Sequence, residues 1–426
     1  MMKFEHGIEY ARKLDMMDSL RHFKDQFYTH EQELYMDGNS LGLCSKPAES
    51  GLLEAFKVWK RDGIRIWGTD SGKYFNFSRR LSEKLSPLIG ASPEEIVVMG
   101  SITSNIHQAI ATFYKPTKSR YKIVMDVLNF PTDLYAVKSL IELLGRNIEE
   151  TLVLVESRDG RTLQTKDILK AFDDDVALVL LPSVLYRSSQ LLEMESITAA
   201  AHEKGILIGW DLAHSIGVVP HDFNSINPDF AVWCSYKYLS GGPGATAGLY
   251  INKRHFNKSA GLKGWFGNRD DIQFQLNPNF EQDVDANGFL IGTPHILSMA
   301  PLDAVLDMFT QAGIHAIREK SLNLTAYLMY LIDSRLSNYD YTIGNPREDS
   351  HRGGHVSLEH PEAYRISLAL RDNGVIPDYR EPNVIRLAPV PLYVSFEDVY
   401  HLVEILEKIT SQKVYEHYSH ERVTVL

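Results

Sequence analysis

The feature that most constrains this chain is a rhythm between Ile96 and Ile251. Short apolar runs stand at Ile96–Met99, Tyr121–Met125, Leu152–Val155, Val176–Leu181, Ile206–Trp210, Phe230–Cys234 and Ala247–Ile251. Helical spacing fills Ser104–Phe113, Thr132–Leu144, Thr165–Phe172 and Ser196–Lys204 between them. Continuous apolar strands separated by helices predict a mainly parallel sheet covered on both faces, an α/β fold. In such sheets a site forms where the strands end at their carboxyl side, so the residues just after each run carry the functional signal.

The flanks read differently. Tyr10–Phe27 has helical spacing, followed by an extended arm at Leu34-Tyr35-Met36 and the turn formers Asp37-Gly38-Asn39-Ser40. Gly51–Leu88 is helical with an interruption near Gly68–Gly72. Beyond Pro301, long helices at Pro301–Ala312 and His315–Leu336 precede short strands near Tyr341–Ile343, His355–Leu358 and Val384–Leu387. Helices at Ala363–Asn373 and Phe396–Ile409 are interleaved, and a polar tail follows Ser411. These textures divide the chain into an N-terminal helix and arm (1–50), a large α/β domain (51–300) and a small α+β domain (301–426).

Charge and cysteine usage narrow the function class. With 44 Lys and Arg against 55 Asp and Glu, the chain lacks the basic balance that a nucleic-acid backbone demands. Val176–Tyr186, the longest apolar stretch, is broken by Pro182 and falls short of the roughly 20 residues that span a bilayer. Met1-Met2-Lys3-Phe4 turns polar at once, unlike a secretory signal. Cys44 and Cys234 can build neither a disulfide framework nor a four-ligand zinc site. The expectation is a cytoplasmic protein with no metal, no membrane and no nucleic-acid partner.

Three strand ends carry chemistry. Asp211, closing Ile206–Trp210, faces a desolvation cost unless a cation pairs with it, although a lone acid there reads equally as a helix cap. Lys237 follows Phe230–Cys234 between Tyr236 and Tyr238, ahead of Gly241-Gly242-Pro243-Gly244; burial lowers a lysine pKa and makes the amine nucleophilic. Together, an acid and a lysine at neighbouring strand ends match the needs of pyridoxal phosphate, whose ring nitrogen wants a carboxylate and whose aldehyde wants an amine. Gly100-Ser101-Ile102-Thr103-Ser104-Asn105 opens a helix after a strand, a place for a phosphate or simply a capped terminus. No nucleotide P-loop and no dinucleotide fingerprint is present.

Eight segments, in order, make the sequence recognisable. They are Tyr35–Gly42, Phe130-Pro131-Thr132-Asp133, Trp210–Ser215, Tyr236–Leu239 with Gly241–Gly244, Gly264-Trp265-Phe266-Gly267, Gly292-Thr293-Pro294, Arg352–Leu358 and Arg386–Tyr393. Over nearly its whole length the chain resembles the kynureninase family, pyridoxal-phosphate enzymes of the fold type I, class V aminotransferase-like group. The resemblance implies hydrolytic cleavage of the Cβ–Cγ bond of L-kynurenine, or of 3-hydroxykynurenine, to the anthranilate and L-alanine. It implies in turn a place in tryptophan catabolism, along the kynurenine pathway toward anthranilate or NAD biosynthesis.

The same resemblance assigns residues. Lys237 carries the cofactor aldehyde and moves protons, Asp211 faces the pyridine nitrogen, and His214 lies beside the ring. Phe130 stacks on it with Asp133 nearby, and Ile102, Thr103 and Tyr236 hold the phosphate, with Tyr236 also a proton donor. Trp265 and Thr293 complete that site from a second subunit, implying a homodimer with a shared active site. Arg386 takes the substrate α-carboxylate, and Trp67 and Gly292 lie near the substrate ring. Departures from the commonest pattern stand at Ile102, at Pro182–Gln190 and at Asn268. Another fold type I enzyme, such as a class V aminotransferase, is the alternative; a cysteine desulfurase is disfavoured by the lack of any Cys after Cys234.

Overall fold

A computed structural model describes residues 4–30 and 32–421. The opening Met1–Lys3 and the last five residues of the polar tail lie outside the described residues. The strands are, in chain order, β1 (Leu34–Tyr35), β2 (Ile96–Val98), β3 (Lys122–Asp126), β4 (Leu152–Val155), β5 (Val176–Pro182), β6 (Leu207–Asp211), β7 (Phe230–Trp233), β8 (Gly248–Ile251), β9 (Thr342–Ile343), β10 (Val356–Glu359), β11 (Val375–Ile376), β12 (Asp378–Arg380) and β13 (Val384–Leu387). Seven of them form one sheet in the order β2-β8-β7-β6-β5-β3-β4. Every pair from β7 to β4 is parallel, and β8 runs against both of its neighbours.

Burial on both faces explains why these strands read as unbroken apolar runs. Val98, Val124, Val179, Ile208, Trp210 and Trp233 enter one core. Their alternating neighbours Val97, Ile123, Leu178, Leu180, Phe230 and Val232 enter the other. With a side-chain period of two, a one-residue slip would exchange the two sets. The helices Ile102–Phe113 and Pro131–Leu143 cover the second core, while Phe77–Ile89, Met194–Glu203 and Ile296–Ala312 contribute to the first.

A four-stranded antiparallel sheet, ordered β12-β13-β10-β9, lies beyond the long helices Ile296–Ala312 and Ile314–Arg335. β1 pairs in parallel with β11, and Asp37 bridges to Ala388, so the N-terminal arm is stitched to the C-terminal third. Three expectations need correcting. Tyr10–Phe27 is no single helix: Ile8–Met17 ends at Asp18, whose Oδ1 accepts from Leu20 N at 2.8 Å, and a short 3₁₀ turn follows at Arg21–Gln26. The helix expected from Pro301 starts at Ile296, with Pro301 inside it, because it packs along Lys46–Asp62 from its first turns. The strands β11 and β12 were not anticipated; each has three residues or fewer.

Candidate active site

The carboxyl ends of β3, β6 and β7 converge on Lys237. After β7 the chain turns tightly: Ser240 N donates to Lys237 O at 2.8 Å and Gly241 N to Ser235 O at 2.9 Å. The N-terminal arm lies directly against this turn, with Gly42 N donating to Tyr236 O at 2.8 Å. A side chain at Gly42 would collide with Lys237 O and Ser240, which is why the Tyr35–Gly42 segment demands glycine there. Lys237 Nζ meets His214 Nε2 at 2.9 Å and stands 5.8 Å from the centre of the Phe130 ring. His214 is buried, and burial together with the positive charges of Lys237 and Arg386 pushes its pKa well below the ordinary value. The partner of Lys237 is therefore a neutral imidazole.

Two buried carboxyls, Asp211 and Asp133, face this one lysine, and a third, Asp126, lies against Asp133. Asp211 ends β6; its Oδ1 accepts from Ala213 N at 2.7 Å, and no cation pairs with it at contact distance. Burial raises its pKa, while Lys237 and the Ala213 N–H act in the opposite direction. Asp133, fully buried in the first turn of Pro131–Leu143, has neither oxygen in a hydrogen bond of ordinary geometry. Burial, then the charges of Asp211 and Asp126, raise its pKa well above the ordinary value, and a hydrogen bond to Asp211 acts in the same direction. Asp126 ends β3 just as Asp211 ends β6; desolvation lifts it to about 7 even though Leu128 N donates to its Oδ1 at 2.9 Å. Tyr236 stands beside Cys234, and burial, followed by that neighbour, raises the phenol's pKa, so it stays a donor.

Arg386 enters from the small sheet. It is 1% exposed on β13, and its Nη1 donates to Tyr186 O at 2.7 Å. Tyr186 joins the two sides of the site. Its ring meets Phe130 edge to face at 5.3 Å, lies 6.5 Å from His214, and has the Arg386 guanidinium 6.0 Å from its centre. His355, buried in the segment leading into β10, faces His214 at 6.1 Å. At the other end Ser101 caps Ile102–Phe113, and Thr103 Oγ1 meets Thr132 Oγ1 at 2.9 Å, so Ile102 and Thr103 stand in the first turn of that helix.

The structure thus brings together Lys237, His214, Asp211, Asp133, Phe130 and, through Tyr186, Arg386. It does not bring Trp67, Trp265, Gly292 or Thr293 to them within one chain: none shares a hydrogen bond, ion pair or ring contact with Lys237, Asp211 or Arg386. Trp67 lines an outer apolar groove with Trp59, Ile64 and Leu297. Trp265 is 45% exposed, and Gly292 and Thr293 are exposed just before that groove. Sequence reasoning missed Asp126, Tyr186 and His355. Asp126 carried a usable signal, an acid closing an apolar run, whereas Tyr186 and His355 reach the site only through tertiary packing.

Comparison with known proteins places this geometry. A family model described as the kynureninase C-terminal domain matches residues 317–406. The kynureninase of Geobacillus thermodenitrificans is 51% identical over 421 residues, covering 99% of this chain and 98% of that protein. The kynureninase of Bacillus cereus (strain ZK / E33L) is 52% identical over 422 residues, 99% of each. Among solved structures, a cysteine desulfurase from Thermococcus onnurineus NA1 superposes with a TM-score of 0.79 at 20% identity, over 92% of this chain and 98% of that one, a likeness of fold alone. Identity at half of all positions along the full length, on this fold, shows that the chain belongs to the kynureninase family.

Proposed function

We propose that the chain is a pyridoxal-phosphate-dependent hydrolase that cleaves the Cβ–Cγ bond of L-kynurenine to give anthranilate and L-alanine. The observation that carries this reading is one lysine set against a buried, cation-less Asp211 at adjacent strand ends, in a chain of this family. Two buried acids, Asp211 and Asp133, facing a single lysine leave room for one more positive group, and a protonated pyridine ring fits there in charge. The cofactor, when bound, supplies an electron sink for carbanions at the substrate's α- and β-carbons.

The chain's own residues do the rest. Asp211 holds the ring nitrogen protonated, and Phe130 supplies an aromatic face for the ring. Ile102, Thr103 and Tyr236 receive the phosphate at the helix terminus. His214, neutral, accepts from Lys237 and orients its Nζ, which takes the proton from Cα. Arg386 holds the α-carboxylate. Water adds at the Cγ carbonyl and the Cβ–Cγ bond breaks, the acyl carbon leaving as the carboxyl of anthranilate. Tyr236, kept protonated by burial, donates toward Cβ and regains a proton from the added water, and Lys237 returns its proton to Cα to complete L-alanine.

The subunit arrangement belongs to the same proposal. Leu53, Phe56, Trp59 and Ile64 expose 58%, 49%, 52% and 80% of their surface on one face beside Thr293. A second copy covering that face would bring Trp265, Thr293 and Gly292 toward the phosphate and the substrate ring, and Trp67 with them, in a homodimer. The division into 1–50, 51–300 and 301–426 and a cytoplasmic location are part of this reading. Among the described residues no helix is long and apolar enough to cross a membrane. The test is product identification: kynurenine alone, without any keto acid, should yield fluorescent anthranilate and alanine in equal amounts. Consumption that requires an added keto acid and releases no anthranilate would establish the aminotransferase instead.

A further inference from the structure

Arg386 sits on an inner strand of the small sheet, and register decides its company. Asp378 of β12 lies directly opposite it on one side and Ser357 of β10 on the other. A guanidinium this deeply buried requires its charge and its donors to be met. Arg386 Nε donates to Asp378 Oδ2, Nη1 to Tyr186 O at 2.7 Å, and Nη2 to Ser40 Oγ at 2.9 Å. Of the five N–H groups of an arginine, this leaves one on each terminal nitrogen, the pair suited to a two-point contact with a carboxylate. The same Asp378 Oδ2 also accepts from Arg380 Nε at 2.9 Å, so a single oxygen anchors two guanidinium groups.

We propose that Asp378 is the positioning residue of the carboxylate site: it pins Arg386 through Nε, so that the free N–H pair on its terminal nitrogens stays aimed at the substrate. This rests on the reading that Arg386 takes the α-carboxylate. Without Asp378 the guanidinium can rotate about its last bonds, satisfy itself on Tyr186 O and Ser40 Oγ, and turn the free pair away. The substrate's carboxylate binds in the ground state and the transition state alike, so the loss falls on KM and spares kcat.

The test uses holoenzyme of the wild type, Asp378→Ala, Asp378→Asn and Arg386→Lys. Asp378→Ala removes a charge-assisted hydrogen bond, worth roughly 10- to 100-fold in KM for L-kynurenine, with kcat within about threefold and the visible cofactor absorption unchanged. Asp378→Asn keeps an acceptor without the charge, should raise KM by a smaller factor, and decides the matter if the alanine variant fails to fold. The decarboxylated amine of the substrate, which offers no carboxylate, should inhibit wild type and variants equally. Unchanged KM in both Asp378 variants while Arg386→Lys raises it overturns the positioning role and leaves the Arg386 reading intact. Unchanged KM in Arg386→Lys as well overturns that reading itself. Equal weakening of the amine and of kynurenine shows general loosening and also overturns the proposal.

Discussion

Two buried charge clusters flank the space beside Lys237, and they are opposites. At the carboxyl ends of the large sheet Asp126, Asp133 and Asp211 crowd together with raised pKa values. On the small sheet the buried Arg386 and the half-buried Arg380 are both held by one oxygen of Asp378, with Asp37 nearby. Burying a carboxyl without a cation costs free energy that the fold retains only where a ligand or a proton compensates. The acidic cluster is thus completed by a cation, while the basic cluster is anchored by Asp378 and keeps a donor pair for an anion. A cofactor ring that carries positive charge and a substrate that carries a carboxylate meet these opposite needs at the two ends of one site.

The sharpest way to break this contrast is to remove the one cation that Asp133 and Asp211 share. Lys237→Ala should abolish the covalent attachment of the cofactor and lower turnover by at least about 10³-fold, counting only its work as a proton carrier. The check is the visible absorption of the purified protein together with anthranilate release. Retained absorption with full activity would end the assignment of Lys237.

Within the acidic cluster, Asp211 and Asp133 should part company. Asp211→Asn keeps the bond from Ala213 N but removes the charge that holds the ring protonated, and kcat should fall roughly 100-fold, about 2.7 kcal/mol. Burial and the charge of Asp211 push the Asp133 pKa up further than that of Asp211, so Asp133→Asn removes less charge and its effect should be several-fold smaller. Equal losses in the two variants would show that both acids are ionised in the working enzyme.

How much of this was legible beforehand follows from which forces act locally. The strands of the large sheet announce themselves because burial on both faces makes each an unbroken apolar run. β1 and β11 show no such run, because their pairing is set by the arm crossing to the far end of the chain. Asp211 and Lys237 were readable as polar residues closing apolar runs, and Asp126 followed the same rule unnoticed. Asp378 could not be found that way: its importance comes from the register of β12 on β13, which no local pattern encodes. Trp67, Trp265, Gly292 and Thr293 came from the resemblance alone, and within one chain they remain on the outside.

Asp126 sharpens the comparison through stability. Its pKa rises from about 3.9 when unfolded to about 7 when folded, so the folded state binds the proton more tightly. The stabilisation is complete below pH 4 and is lost as pH rises through 7, at about 1.4 kcal/mol per unit. Asp126→Asn keeps an acceptor for Leu128 N and removes the ionisation. In urea unfolding of cofactor-free protein, the variant should gain a few kcal/mol relative to wild type between pH 5 and pH 8. A difference that is flat across that range would show that Asp126 ionises without penalty and that the cluster holds fewer than three constrained acids.

The smallest effect is expected where neither cluster reaches. Thr103 lies at the start of Ile102–Phe113 and its Oγ1 shares a hydrogen bond with Thr132 Oγ1. Thr103→Val is nearly isosteric and loses that neutral bond, worth about 1 kcal/mol. If the hydroxyl also meets the phosphate, cofactor release should become up to roughly tenfold easier, while kcat at saturating cofactor stays near wild type. The backbone N–H groups and the helix dipole, which carry most of the anion's attraction, are untouched by the substitution. A cofactor titration monitored by absorption separates the two quantities. A fall in kcat at saturation would mean that the phosphate end fixes the ring's angle against Lys237, and the site could then no longer be divided into a holding end and two charge clusters that do the chemistry.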